Sequence, residues 1–336
     1  MNGLTKSGLV SVIVASYNHA EYLQERMESL INQTYQNIEI IVIDDCSRDA
    51  STKILRKYKN HPKVKLIIRK KNAGWVAVSN EGVKVSKGEF IIFANCDDSC
   101  ESEMIETLVK SMMNNQKAGI SYCRSKMIDK DGKFLGDDFV NRESSFKNRC
   151  RSDTLIDKEE MVLFLLHSCV IPNLSSALFR KECYLLAGGL TKSYEVCADW
   201  DLFFRVVKKF DVAYVAKPLN KFRQHKTTIR SSTKEKILYC EVINLLLTQL
   251  TLFRLSVIKR ARARFWIMYL WSVFILQPSM RGVLSFMNIL KVAFECDAIA
   301  LFYLPSALLY RLIIQPIIVL RFLFKSFISI RIFNAT

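Results

Sequence analysis

Asn95-Cys96-Asp97-Asp98 follows directly on the apolar run Phe90-Ile91-Ile92-Phe93-Ala94, so two carboxylates stand where a buried strand would end. Open α/β sheets bind ligands outside the carboxyl ends of their strands, and hard oxygen donors there suit Mg2+ or Mn2+ bound to a phosphate. The chemistry this suggests is metal-assisted work on a nucleotide. Two adjacent Asp residues can equally be a loop and a helix cap, which is the commoner use of acidic turn residues. Other polar clusters reaching the same place would separate the readings. Ser16-Tyr17-Asn18, Asp44-Asp45-Cys46-Ser47 and Lys71-Asn72-Ala73-Gly74 each follow a strand-like pattern of their own.

The elements that must position these clusters are read from hydrophobic periodicity. Residues 9–15, 38–43, 64–68 and 89–94 have the pattern of buried strands, and 21–33, 50–58, 75–85 and 101–114 have helical spacing. Strands joined by helical crossovers form a parallel sheet, so all four polar clusters fall at one edge of it. From 121 to 155 the periodicity weakens, and Asp131-Gly132 signals a hairpin and a mobile, acceptor-facing loop. Beyond it, 159–167 reads as a helix, 175–179 as a strand and 181–187 as a short helix ended by Gly188-Gly189. A helix at 200–209 with an acidic cap and a final strand at 212–215 follow. The expected fold is α/β with a mostly parallel central sheet, followed by a basic, apolar helical C-terminal region.

A net charge of +17, from 49 Lys and Arg against 32 Asp and Glu, calls for an anionic partner. Beyond residue 250 the acids are Glu295 and Asp297, against eleven Lys and Arg between Arg254 and Arg331. The apolar stretches there, such as 265–276 and 312–324, are interrupted by Arg, Lys or Pro and fall short of a span of about 20 apolar residues. Amphipathic helices lying on an anionic membrane surface fit this pattern, and an ordinary helical subdomain is the plain alternative. A nucleic-acid-binding protein would gather its charge around a recognition motif, and none is found, so no nucleic acid is expected. The ten cysteines form no CxxC pair and read as reduced thiols. The run 9–15 contains Ser11 and has no convincing basic leader, which reads as a strand rather than a secretion signal. The expected location is cytoplasmic, peripheral at the inner face of the plasma membrane.

In order along the chain, Val10-Ser11-Val12-Ile13-Val14-Ala15-Ser16-Tyr17-Asn18, Ile41-Val42-Ile43-Asp44-Asp45-Cys46-Ser47-Arg48-Asp49 and Asn95-Cys96-Asp97-Asp98 resemble the motifs of family 2 inverting glycosyltransferases. The resemblance covers roughly 9–230. It implies a GT-A type nucleotide-binding fold, with a catalytic domain at 1–233, its donor-binding half at about 1–120 and its acceptor half at about 121–233, and leaves 234–336 as a membrane-associating region. It further implies transfer of a sugar from a nucleotide-sugar, UDP-linked, to a hydroxyl of a saccharide or lipid-linked acceptor. Surface polysaccharide assembly, such as O-antigen or capsule, and a Mn2+ or Mg2+ cofactor come with it.

The same resemblance distributes roles. Asp45 matches the uridine-binding aspartate, with Asp44 as support. Ser16, Tyr17 and Asn18 match a nucleotide-contacting loop, and Asn72 and Gly74, followed by Asn80, match the segment near the donor ribose and diphosphate. The metal motif usually begins with Asp, and Asn95 stands there; Asp98 matches the direct ligand, with Asp97 toward the donor ribose or a metal-bound water. Asp199, in Cys197-Ala198-Asp199-Trp200-Asp201, matches the general base, although Ala198 replaces the usual Glu; Trp200 would flank the acceptor sugar, and Asp201 is the alternative base. In Phe222-Arg223-Gln224-His225-Lys226, Arg223 would pair with phosphate and His225 would complete the metal or diphosphate site. A nucleotidyltransferase would need a Gly-rich basic loop after the first strand, and Ser16-Tyr17-Asn18-His19 is not one.

Overall fold

Alternating apolar residues give β1 (Lys6–Ser16) two buried faces. Val10, Val12 and Val14 pack in one core cluster with Leu23, Met27 and Leu30 of α1 (Ala20–Ile31), whereas Ile13 faces α3 (Trp75–Val85). A Cβ on Gly82 of α3 would lie 2.4 Å from Ile13 Cγ2, so only glycine allows this close helix-on-sheet approach. The computed structural model describes residues 6–140, 142–225, 235–275 and 280–314.

β2 (Ile38–Asp44), α2 (Ser51–Arg56), β3 (Val64–Ile68) and β4 (Gly88–Phe93) complete a parallel run in the order β3-β2-β1-β4. Consecutive strands with helical crossovers place every loop after a strand at one sheet edge. β5 (Ser99–Cys100), α4 (Met104–Asn114), β6 (Ala118–Ile128) and β7 (Phe134–Asp137) come next. They are followed by α5 (Ser144–Arg149), β8 (Thr154–Ile156), α6 (Lys158–His167), β9 (Ala177–Arg180), α7 (Lys181–Leu186), α8 (Ala198–Val207) and β10 (Asp211–Arg223). The sheet continues as β4-β9-β6-β10-β5, with β9 antiparallel to both neighbours and β10 parallel to β6.

Two strands differ from the sequence expectation. β6 runs through residues 118–128, where periodicity had suggested mainly a hairpin and mobile loop; the hairpin is its pairing with β7, turned at Gly132 with φ +82. β10 spans 13 residues instead of four. The cause is polarity inside the sheet: Ser121, Ser125 and Asn220 are fully buried, and Asn220 Nδ2 donates to Ser125 Oγ at 2.9 Å. Hydrogen bonding offsets the cost of burying Ser125 and Asn220, and the polar residues interrupt the hydrophobic pattern by which a strand is read. Pro218 lies at register shifts in the β10–β6 pairing, where a missing N–H is tolerated.

Residues 1–232 form one compact unit and 233–336 another. The second contains α9 (Glu235–Leu252), α10 (Val257–Ile275), α11 (Met280–Asp297) and α12 (Leu304–Leu309). Leu246, Leu250, Ile267, Met268 and Trp271 are buried in it, and Arg264 bonds Asp297 with both arms, at 2.8 and 2.9 Å, tying α10 to α11. Val257, Ile258 and Phe302 are more than 80% exposed. The helical run Ile289–Ile313 is long and apolar enough by length and composition to cross a membrane, a run the sequence reading had not singled out. Most of the 312–324 stretch, Lys325 and Arg331 lie outside the described residues, as does Lys226.

Candidate active site

The loops after β1, β2 and β4 and the start of α3 enclose a cavity of about 670 Å³. Ser16, Tyr17, Asn18, Asp45, Asn72, Gly74 and Asp97 line one side, and Asp199 enters from the first turn of α8. Ile13, Val78, Phe93 and Trp75 give it an apolar floor. A mostly apolar cleft with a few convergent polar groups has the size and character of a small-molecule site.

Asp45 joins the end of β2 to the start of α3. Its Oδ1 accepts from Ala73 N at 3.0 Å and lies 3.1 Å from Arg69 Nε, and its Oδ2 accepts from Gly74 N at 2.8 Å. Gly74 holds φ +84, a conformation other side chains resist, and this aims its N–H at Asp45. Asp44 is fully buried and caps the turn instead, accepting from Ser47 N at 2.9 Å and Ser47 Oγ at 2.6 Å. Asn18, at φ +55, accepts from Arg48 N at 2.8 Å and so locks the β1 loop to the β2 loop. Asn80 does not line the cavity; its amide bonds Leu190 O and the Tyr184 hydroxyl, pinning α3 to the turn after α7.

The adjacent acids have opposite surroundings. Asp98 is 1% exposed, and its carboxylate accepts from Arg223 N at 3.0 Å, Asn173 Nδ2 at 2.8 Å and Asn95 Nδ2 at 3.4 Å. Burial, then the charge of Asp97, pushes its carboxyl up to about 7, opposed by the fully buried Arg26. Asp97 faces the cavity and its Oδ2 lies 3.0 Å from His225 Nε2. Burial raises the Asp97 carboxyl, but the His225 hydrogen bond and the charges of His19 and His225 outweigh it and hold the group below its ordinary value. The expectation of Asp98 as direct metal ligand is therefore corrected: its oxygens are committed to an internal network, and Asp97 is the acid of the pair that an ion can reach. His19, Asp97 and His225 offer ligand atoms within 4.8 Å of one another. The 3.0 Å between Asp97 and His225 is the spacing of two ligands at a right angle with bonds of about 2.1 Å, so this donor set fits a divalent ion.

Arg223 is likewise corrected. It is 2% exposed, donates to the carbonyls of Asp97 at 2.7 Å, Asp129 at 3.2 Å and Lys130 at 3.1 Å, pairs with Glu25 and lies over Tyr22. A buried guanidinium costs several kcal/mol unless its donors are met; here they are met inside the protein, so Arg223 positions the Asp97 loop and is not available to a phosphate.

On the acceptor side, Asp199 lines the cavity and its Oδ1 accepts from Trp200 N at 2.7 Å. Trp200 is 8% exposed, stacked against Phe204, and absent from the lining, because one helical residue turns the chain by about 100° away from the face of Asp199. It is corrected from acceptor contact to core. Asp201 is buried and bonds Arg205 at 2.9 Å, a structural ion pair. His19, Trp75 and Glu195 line the cavity and were missed. His19 carried a signal: it directly follows Ser16-Tyr17-Asn18 in the same loop.

The family model described as Glycosyl transferase family 2 matches residues 11–170. An uncharacterized glycosyltransferase of Rickettsia typhi is 31% identical over 227 residues, 66% of this chain and 65% of that protein. The chondroitin synthase of Pasteurella multocida is 25% identical over 199 residues, 59% of this chain and 19% of the relative. The chain thus spans less than two thirds of the length of these relatives. Among solved structures, Staphylococcus aureus TarS 1–349 in complex with UDP-GlcNAc has the same fold, with a TM-score of 0.67 at 16% identity over 88% of this chain and 83% of that one.

Proposed function

We propose, from the match of residues 11–170 to the Glycosyl transferase family 2 model, that this chain transfers a sugar, with inversion, from a UDP-linked donor to a hydroxyl of a saccharide or lipid-linked acceptor. The observation that carries the reading is that Asp45, Asp97 and Asp199, from three separate segments, line one cavity at the strand ends. Asp45 would accept from the uracil ring N–H, held rigid by the start of α3. Ser16, Tyr17, Asn18, Asn72 and Gly74 would enclose the nucleoside and the diphosphate. A divalent cation held at Asp97 and His225 would supply positive charge against the departing diphosphate. Asp199 would take the proton of the acceptor hydroxyl as its oxygen attacks the anomeric carbon from the face opposite the nucleotide; the bond from that carbon to the diphosphate breaks, and configuration inverts. UDP-GlcNAc in the TarS structure supports a uridine donor, and the name of the chondroitin synthase relative supports a saccharide acceptor in polysaccharide assembly.

UDP should raise the melting temperature of the purified chain in a saturable way. Asp45→Asn should weaken UDP binding about tenfold, by loss of one charge-assisted acceptor. A chain whose melting does not respond to UDP or to any UDP-sugar would remove the donor assignment.

Residues 234–336 would hold the enzyme at the cytoplasmic face of an anionic membrane, with Val257, Ile258 and Phe302 exposed among basic residues. The full chain should cosediment with vesicles containing anionic lipid, and deletion of 234–336 should abolish this. Equal sedimentation of the two would rule the anchoring role out.

A further inference from the structure

We propose that the cation site is built from two imidazoles and one carboxylate, with His19 as its third protein ligand, and that it therefore selects a first-row transition-metal ion over Mg2+. The proposal rests on the donor-site reading above and deepens it. One carboxylate remains for an ion at this strand end, because Asn95 is neutral and Asp98 is committed to Arg223, Asn173 and Asn95. Mg2+ demands near-ideal octahedral oxygen coordination, whereas imidazole nitrogen strengthens binding along the series from Mn2+ toward Zn2+.

The two histidines are prepared for this. His19 Nδ1 lies 2.7 Å from the carbonyl of Tyr17, which can only accept, so Nδ1 carries a proton and Nε2 is the nitrogen left to meet an ion. A second hydrogen bond that fixes tautomer and ring orientation in this way is typical of metal-binding histidines. His225 packs against Tyr22, with ring centroids 5.0 Å apart, and meets the His19 ring edge-on at 5.8 Å. Two residues before His225, the backbone N–H of Arg223 is fastened to Asp98. The ligand atoms lie within 4.8 Å of one another, against about 4.2 Å for two ligands on opposite sides of an ion with bonds of about 2.1 Å.

The test uses the full-length chain without nucleotide and follows Mn2+ by electron paramagnetic resonance. Wild type should bind Mn2+ with nitrogen modulation in the spin echo, Co2+ should displace it, and Mg2+ should need an excess of about 100-fold to do so. His19→Ala should weaken Mn2+ binding about tenfold or more, reduce the nitrogen modulation and leave the melting temperature unchanged; His19→Gln, which keeps the size of the side chain, is the companion variant should alanine disturb the loop. Displacement by equimolar Mg2+ would overturn the proposal, as would undiminished Mn2+ affinity and modulation in both variants. UDP binding measured on wild type both without metal and with saturating Mn2+ reports on the donor reading separately: its failure under both conditions would remove that reading and leave the ion result standing.

Discussion

Asp199→Asn is expected to lower sugar transfer by about 10²- to 10⁴-fold, the range general-base catalysis supplies, while UDP-sugar binding and melting temperature stay as in wild type. The amide matches the carboxylate in shape, and its remaining oxygen can accept from Trp200 N as Asp199 Oδ1 does at 2.7 Å, so the first turn of α8 keeps its bond. What is lost is the capacity to take a proton inside the cavity that Asp199 lines. Unchanged single-turnover rates would eliminate it as the base. Asp201 is a poor substitute, because it is buried against Arg205; Glu195, an exposed carboxylate on the same cavity, would then be the residue to replace next.

Substitutions at the two neighbouring acids should part company. Asp97→Ala is expected to leave the fold intact and to cost about 100-fold in turnover with a divalent ion, since it removes a ligand from the site that it shares with His19 and His225. Asp98→Ala is expected to act on stability first, by about 2–5 kcal/mol in denaturant titrations. It strips the acceptor from Arg223 N and Asn173 Nδ2 and leaves both donors buried and unmet. The sign of its pH dependence is fixed by the shift. The folded carboxyl is raised from 3.8 to about 7, so its contribution to stability is fully present below pH 3.8 and fades as pH rises through about 7. The wild-type advantage over Asp98→Ala should therefore shrink across that interval. Equal loss of stability in both variants would contradict this division of roles.

The sequence made the parallel half of the sheet legible because β1 to β4 are apolar runs closed by polar loops, and the position of Asp45 followed from that alone. It could not separate Asp97 from Asp98. Both follow the same strand, and what distinguishes them is which one meets Arg223 and Asn173, residues 125 and 75 positions away. Arg223 misled for a related reason: a basic residue late in the chain looks like a phosphate partner until the carbonyls of Asp129 and Lys130 are seen around it. Trp200 misled by adjacency, since one step along a helix exchanges the cavity for the core. β6 and β10 were obscured by their buried polar residues, Ser121, Ser125 and Asn220, the last two of which bond each other.

That pairing has a further consequence. Ser125 bonds Asn220, Asn220 donates to Asn173 at 3.3 Å, and Asn173 donates to Asp98, so one buried chain of polar groups runs from the β6–β10 ladder to the loop behind Asp97. Each link is expensive to break without water to replace it. The β6–β10 pair and the loop behind Asp97 are therefore a poor place for a hinge, and movement around the cleft is expected in its surface loops instead.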